Sequence, residues 1–125
     1  MNFDHSSPIY LQLASTWRRL IASQEWEPGA RIDSVRDLAV RYGVNPNTVQ
    51  RALTELEREG LAISQRTQGR YITEDEQLIV RTRQALAKEL ISGFVTEAKQ
   101  LGLDRSYLIQ ELTLAMEVLD EKPKQ

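Results

Sequence analysis

The sequence of 125 residues contains no cysteine and a single histidine, His5. Without cysteine there can be no disulfide scaffold, thiolate zinc site or cysteine nucleophile, and the absence is compatible with a reducing compartment. One histidine is too few for a metal site built from several histidines. No apolar run reaches the roughly 18 residues that span a bilayer, and the first residues lack a signal-peptide core. We therefore expect a cytoplasmic chain with no membrane partner, metal or cofactor.

The net charge is −2, from 16 basic and 18 acidic residues, and it is unevenly distributed. Residues 31–72 contain seven arginines and five acidic residues, so an anionic partner would meet the middle of the chain. An excess of this size fits an ordinary solvated surface equally well. With 41% apolar residues, the chain can bury the core of one domain, or of a small domain with an appendage, but it is too short for a large enzyme.

The first helix is predicted to begin at Ser7 and Pro8. Serine can cap the free amides of a helix, and proline is favoured at the first helical position because it has no N–H that needs a partner. Apolar residues that include Trp17 then recur at helical spacing. Because Trp17, Trp26 and Tyr42 fall on or beside apolar faces, we expect them in the core rather than on a surface that stacks bases.

The next segment has the pattern of two helices joined by a tight turn. Ser34 is expected to cap a helix of about eight residues, which ends where Gly43 supplies a left-handed residue. Asn45 and Pro46 begin a third helix almost at once, and Gly60 ends it. The sequence therefore predicts a helix-turn-helix.

After the third helix the apolar pattern no longer has helical spacing. Residues 61–64 and 70–73 have the pattern of two short strands, and the loop between them contains Gly69, which can adopt a positive φ. A hairpin directly after a helix-turn-helix is a wing. The sequence thus predicts a mainly α fold with a small β-wing, in which residues 1–73 form a winged helix-turn-helix DNA-binding domain.

Residues 74–121 are predicted to form two antiparallel helices, one of about 25 residues that ends at Gly102 and one that Asp104 caps. Each helix carries an apolar stripe, and a single pair leaves part of this surface uncovered. A second copy related by a two-fold axis is the commonest cover, so the pair is predicted to be a dimerisation domain. Its dimerisation residues are predicted to be Leu86, Leu90, Phe94, Leu108, Leu112, Met116 and Leu119. Residues 122–125 are predicted to be a tail.

The outer face of the third helix carries side chains of the types that read base edges. Helical spacing directs four side chains away from the core, with Thr48 and Gln50 on the flanks. The four are Asn47, Arg51, Thr54 and Arg58. In the major groove, Asn and Gln pair with adenine, and Arg pairs with guanine. The first turn of this helix is expected to expose free backbone amides, which suit a phosphate.

Three other arginines are candidates for DNA contacts. Arg36 lies at the start of the second helix, beside the turn. Arg66 and Arg70 flank the tip of the wing, where they can enter or grip the adjacent minor groove.

Each of these features also has a purely structural explanation. Asn45 starts a helix well in any protein, and Arg58 is expected to pair with a glutamate of its own helix. Arg31 and Arg41 fit either a surface ion pair or a DNA contact. The conjunction of a short helix, a tight turn, a polar-faced helix and an arginine-flanked hairpin favours DNA.

Several short motifs follow one another along the first half of the chain. They are Pro8-Ile-Tyr-Leu-Gln-Leu13, Pro28-Gly29, Ser34-Val-Arg-Asp-Leu-Ala39, Gly43-Val-Asn-Pro-Asn-Thr-Val49, Arg51-Ala-Leu53, Glu55-Leu-Glu57 and Glu59-Gly-Leu61. Together they resemble the winged-helix DNA-binding domain of the GntR family of bacterial transcription regulators. The short two-helix segment that follows is similar to the YtrA subfamily, in which such helices dimerise the protein.

The resemblance implies which residues contact DNA. They are Arg36, Asn45, Asn47, Thr48, Gln50, Arg51, Arg66, Thr67, Gln68 and Gly69. The chain departs from the family at two places. Asp33 stands where the family usually has proline, and Thr67 and Arg70 replace the first glycine and the threonine of its Gly-x-Gly-Thr wing motif.

The sequence thus predicts a sequence-specific DNA-binding transcription regulator that catalyses no reaction. It is predicted to act as a homodimeric repressor, associated with the nucleoid, that binds a palindromic operator through a recognition helix at 46–60 and a wing at 61–73. A small-molecule effector is left open as a further partner. One alternative is a protein-interaction module that uses the C-terminal helix pair without specific DNA binding. Another is a fragment of a pyridoxal-phosphate aminotransferase-like protein, for which residues 73–125 are too few.

Overall fold

The computed structural model describes residues 1–121, so the predicted tail at 122–125 lies outside the described residues. Five helices and one two-stranded antiparallel sheet follow in the order α1 Ile9–Ala22, α2 Val35–Tyr42, α3 Pro46–Arg58, β1 Ala62–Gln65, β2 Gly69–Ile72, α4 Glu76–Gln100 and α5 Arg105–Glu121. The predicted mainly α fold with a β-wing is confirmed. No helix within residues 1–121 combines the length and the apolar character needed to cross a bilayer. The chain divides into two compact units, Met1–Leu86 and a second that begins at Ala87.

The core of the first unit lies where α1 packs against α3. Leu13 and Ile21 of α1 are fully buried, and so are Val49 and Leu56 of α3. These positions recur at helical spacing, so one face of each helix is removed from water while the opposite face stays polar. The second helix and the hairpin close the remaining sides of this core, to which they contribute Leu38, Ala39, Leu61, Ala62 and Ile72.

The predicted aromatic residues form a cluster within this core. Trp17 is fully buried, and its ring stacks on Trp26 with 5.7 Å between the ring centroids. Tyr42 of α2 meets Trp17 edge-on at 5.5 Å. The prediction that these three rings belong to the core is confirmed.

The first unit extends beyond residue 73, where the sequence places the end of the wing domain. Ile79 of α4 is fully buried in the same core cluster, and Leu78 packs against that cluster. The Arg83 Nε donates a hydrogen bond of 2.8 Å to the carbonyl of Ala22 at the end of α1. The first turns of α4 are therefore part of the unit that holds the helix-turn-helix.

The start of α1 differs from the prediction that Ser7 caps it. Pro8 itself takes the cap position with an extended backbone, and its carbonyl accepts from the amides of Leu11 and Gln12. The Gln12 Nε2 donates to the carbonyls of Asp4 and Ser7, at 2.9 and 2.8 Å. The amide side chain of Gln12, rather than the hydroxyl of Ser7, thus ties the N-terminal segment to the helix.

The helix-turn-helix has the predicted caps. Ser34 Oγ accepts from the amide of Asp37 at 3.1 Å, and Gly43 ends α2 with a φ of 66°. Asn45 begins α3, directly before Pro46. The turn between the two helices is short because a left-handed glycine and an extended cap residue lie only two positions apart.

The wing hairpin lies one residue away from the predicted strand bounds. Ala62 pairs with Ile72, and Gln65 pairs with Gly69, whose φ is 90°. Arg66, Thr67 and Gln68 form the turn, which the amide of Gln68 closes by donating to the carbonyl of Gln65 at 3.2 Å. This geometry presents the three turn residues to solvent.

Candidate nucleic-acid interface

The face of α3 opposite the core consists of exposed polar side chains. Asn47, Gln50, Arg51, Thr54 and Arg58 are all exposed, and Thr48 is half-buried. Together with Tyr10 and Glu55, the five exposed residues line an open depression on the surface. Because the apolar side chains of α3 must face the core, the polar ones are left on a continuous outer strip.

The backbone amides at the start of α3 are not free, contrary to the sequence-based expectation. Pro46 has no N–H, and the amide of Asn47 donates to the Asn45 Oδ1 at 2.7 Å. The amide of Thr48 donates to the carbonyl of Asn45 at 2.9 Å. The expectation was wrong because the Asn45 cap and a tight first turn satisfy these donors. A phosphate at this end would meet the helix dipole and side chains instead.

Arg51 is held on the surface by an aromatic ring that sequence reasoning missed. Its guanidinium carbon lies 3.9 Å from the ring centroid of Tyr10, on α1. This cation–π contact restricts where the guanidinium lies, and its N–H donors are the groups that can pair with the acceptors of a base. Tyr10 belongs to the Pro8 to Leu13 motif, but its spacing along α1 does not indicate which residue of α3 it meets.

A second arginine lies beside the wing. A Cβ at Gly69 would lie only 3.3 Å from the Arg31 Nη2, so the guanidinium of Arg31 passes close over the glycine backbone. Arg31 is exposed and makes no ion pair with any residue that the structure describes. With Arg66 at the turn, two cations are therefore available at the hairpin.

Arg70, in contrast, turns back toward α3. Its Nε donates to Glu57 Oε1 at 2.6 Å, and its Nη1 donates to Gln50 Oε1 at 3.1 Å. Ser64 of β1 donates to the other carboxylate oxygen, Glu57 Oε2, at 2.8 Å. The Arg70 and Glu57 side chains are only 21% and 29% exposed. Glu57 therefore fastens both strands of the wing to α3, while contact of Arg70 with DNA stays a prediction.

Of the remaining charged residues on α2 and α3, some are unpaired in the described part of the chain and others form ion pairs. Arg36, in the first turn of α2, is exposed and has no ion-pair partner within residues 1–121. Asp33, where the chain departs from the family pattern, pairs with Arg41, so its charge is neutralised within the protein. Arg58 pairs with Glu55 at 2.7 Å, which confirms the predicted surface pair.

The described residues contain no group of three or more His, Asp or Glu that could hold a metal ion. The hydroxyl and the backbone amide of Ser6 donate hydrogen bonds that lower the pKa of the Asp4 carboxyl. That carboxyl belongs to the N-terminal segment rather than to the outer strip of α3. The candidate interface therefore offers arginine charges together with side-chain amides and hydroxyls that can donate and accept hydrogen bonds.

A tight helix-turn-helix with an outward polar helix, followed by an arginine-bearing hairpin, defines the class of winged helix-turn-helix DNA-binding proteins. The family model "Bacterial regulatory proteins, gntR family" matches residues 9–72. The chain belongs to the GntR family, as the sequence motifs indicated.

Similar proteins share most of the chain as well as the winged domain. The uncharacterised HTH-type transcriptional regulator YhcF of Bacillus subtilis is 37% identical over 108 residues, which cover 86% of this chain and 89% of YhcF. The HTH-type transcriptional repressor YtrA of the same organism is 35% identical over 100 residues, 79% of this chain and 77% of YtrA. The structure of a GntR family transcriptional regulator from Listeria monocytogenes superimposes with a TM-score of 0.82 at 36% identity, and covers 89% of this chain and 97% of its own.

This membership establishes the general function. The protein is a DNA-binding transcription regulator, and the prediction that it is not an enzyme is confirmed by its family.

We predict that Glu57→Ala lowers the free energy of unfolding by about 1–2 kcal/mol, because Ser64 and Arg70 lose their charged acceptor. Glu55→Ala is the matched control, since both residues lie within α3 and the change in helix propensity is the same. The control removes a single ion pair, to an arginine that is 69% exposed, and should cost about 0.3–0.5 kcal/mol. Urea unfolding measures both values. Equal losses would show that Glu57 does not hold the wing.

Proposed function

We propose that the protein is a homodimeric repressor that binds a palindromic operator in the cytoplasm, in association with the nucleoid. The observation that carries the proposal is the exposed strip of Asn47, Gln50 and Arg51 on α3, with a hairpin fastened beside it. A helix with this outer face fits the major groove, and its side-chain types match base edges. The wing then lies over the adjacent backbone or minor groove.

The proposed contacts divide into those that read bases and those that hold the backbone. Asn47, Gln50 and Arg51 extend from the exposed face of α3 and are assigned to bases. The phosphate backbone is assigned to exposed polar or charged groups on either side of that face, which carry no sequence information of their own. They are Arg36, Asn45, Thr48, Arg66, Thr67, Gln68 and the backbone of Gly69. Arg31 joins this set because its guanidinium lies against the wing.

The second unit supports the dimer. Leu90 and Met116 are 71% and 62% exposed, and no residue of α5, which is described over its whole length, is buried. An open groove of about 790 Å³ is lined from both helices by apolar residues that include Phe94, Leu108 and Leu112. Soluble monomers rarely leave so much contiguous apolar surface in water, and a second copy covers it symmetrically.

Repression is supported by the similarity to YtrA, a named repressor that aligns with 79% of this chain. A dimer seated on an operator hinders any other protein that needs the same DNA. Whether a small-molecule effector exists is left open, and no site is assigned to one.

The operator test is a nuclease footprint on DNA upstream of the gene that encodes the protein. We expect a protected inverted repeat whose half-sites lie about 34–36 Å apart, or a multiple of this, and binding that weakens steeply with salt. Protection that does not depend on the DNA sequence would contradict the proposal.

Arg51→Ala should weaken specific binding by about 1–3 kcal/mol if Arg51 reads a base. Arg58→Ala is the control on the same helix face and should change binding by less than about 0.5 kcal/mol.

Tyr10 should influence DNA binding through Arg51. We expect Tyr10→Leu to weaken operator binding about twofold to fivefold, because the stacked guanidinium loses about 0.5–1 kcal/mol of cation–π stabilisation. Tyr10→Phe keeps the ring and should bind like the parent protein. Fluorescence anisotropy with a labelled operator measures both. Equal binding by the two variants would show that the stack does not position Arg51.

Phe94→Glu should disrupt the proposed dimer, because it places a charge in the apolar groove of the second unit. We expect sedimentation to show a dimer for the parent chain and a monomer for the variant, together with loss of the inverted-repeat footprint. Val40→Glu is the control, since Val40 is 79% exposed on α2 and is not among the residues that line this groove. A parent protein that sediments as a monomer would refute the dimer.

A further inference from the structure

The Gln50 side chain, on the outer face of the recognition helix, is hydrogen bonded to the wing. The Arg70 Nη1 lies 3.1 Å from Gln50 Oε1, and the Arg70 Nε lies 2.6 Å from Glu57 Oε1. Because the carboxylate of Glu57 anchors the guanidinium, Arg70 approaches Gln50 from a fixed direction. One residue of the wing is thereby hydrogen bonded to a side chain on the outer face of α3.

The chemistry of arginine determines which end of the Gln50 amide faces it. A guanidinium carries only donors, so the atom opposite its Nη1 must be the carbonyl oxygen. Turning the amide over would set its NH₂ group against another donor and break the bond. The Gln50 Nε2 has no partner among the described residues, and the side chain is exposed. Gln50 thus presents its donor end as the free end.

This orientation changes what Gln50 can recognise. An unrestrained glutamine pairs with adenine through both ends, accepting from N6 and donating to N7. Here one of the two lone pairs of Oε1 accepts from Arg70, so the N6 donor of adenine must share this oxygen with another donor and approach a guanidinium charge. Guanine presents two acceptors, N7 and O6, in the major groove and no donor there. The free Nε2 and the nearby positive charge both match that edge.

We infer that Arg70 is a positioning residue that makes Gln50 a hydrogen-bond donor and so sets a preference for guanine over adenine at the base pair Gln50 reads. The inference rests on the proposed function, since α3 must enter the major groove. It also assigns a role to Arg70, which stands where the family usually has threonine.

The test is selection from a random DNA library followed by sequencing, carried out with the full chain. The parent protein should select an inverted repeat with guanine enriched over adenine by at least about fivefold at one position of each half-site. Arg70→Met, which keeps length but has no donor, should bring this ratio to one or below while the rest of the motif persists. A purely structural role would lower affinity without altering the base preference at one position.

Two further variants locate the effect. Gln50→Ala should abolish the preference at the same position, and adding Arg70→Met to it should change nothing more, because the two residues act as one unit. Ser64→Ala is the matched control, since it removes the other wing contact to Glu57 and leaves the Arg70 bond to Gln50 in place. It should keep the guanine preference.

Circular dichroism and thermal melting establish that each variant is folded. If Arg70→Met does not fold, Arg70→Lys replaces it, because one ammonium group can pair with Glu57 but cannot reproduce the fork that also reaches Gln50. The same loss of guanine preference is expected.

The outcomes separate the inference from the proposed function. An intact motif with the same guanine-to-adenine ratio in the Arg70 variant overturns the inference alone. So does a parent preference for adenine at that position, or a motif that Gln50→Ala leaves unchanged. Selection of no motif by the parent protein overturns the proposed function and this inference with it.

Discussion

The contact between α1 and α3 is the constraint from which the proposed DNA-binding surface follows. Val49 and Leu56 of α3 are fully buried against a core that holds Leu13 and Trp17 of α1. Burying these side chains fixes the rotation of α3 about its own axis, and a helix so fixed presents its remaining residues in one direction. The polar strip is therefore placed by hydrophobic burial, without any ligand to orient it.

The neighbours of α3 also position two arginine side chains at the strip. Because α1 lies alongside α3, the Tyr10 ring meets the guanidinium of Arg51, and because the hairpin follows α3 directly, Glu57 meets Arg70. Each arginine is held by a neighbour in a different way, Arg51 by a cation–π contact with Tyr10 and Arg70 by a hydrogen bond to Glu57. An arginine held before binding loses less conformational entropy when it meets DNA than one that moves freely in water.

The sequence predicted the features that depend on residues close together in the chain. Ser34, Gly43 and Asn45 mark helix ends because each forms bonds within its own turn, so the elements and the outward strip of α3 followed from local rules. The partners of Arg51 and Arg70 could not be predicted from such local rules, because packing brings Tyr10 to Arg51 and the hairpin register brings Glu57 to Arg70. Competition for donors and acceptors explains the errors at α1 and α3, where Gln12 and the tight first turn satisfied groups assigned elsewhere.

The uneven burial of the two units has a physical rationale in the proposed dimer. One winged domain offers few base-reading side chains, and each good base contact contributes about 1–3 kcal/mol of discrimination. The discrimination that one domain provides is small compared with what the many competing sites of a genome require. Two linked domains add their base contacts without a second loss of translational freedom. An apolar helix pair with almost nothing buried in itself is suited to provide that link, because its free energy of burial is released only when a second copy arrives.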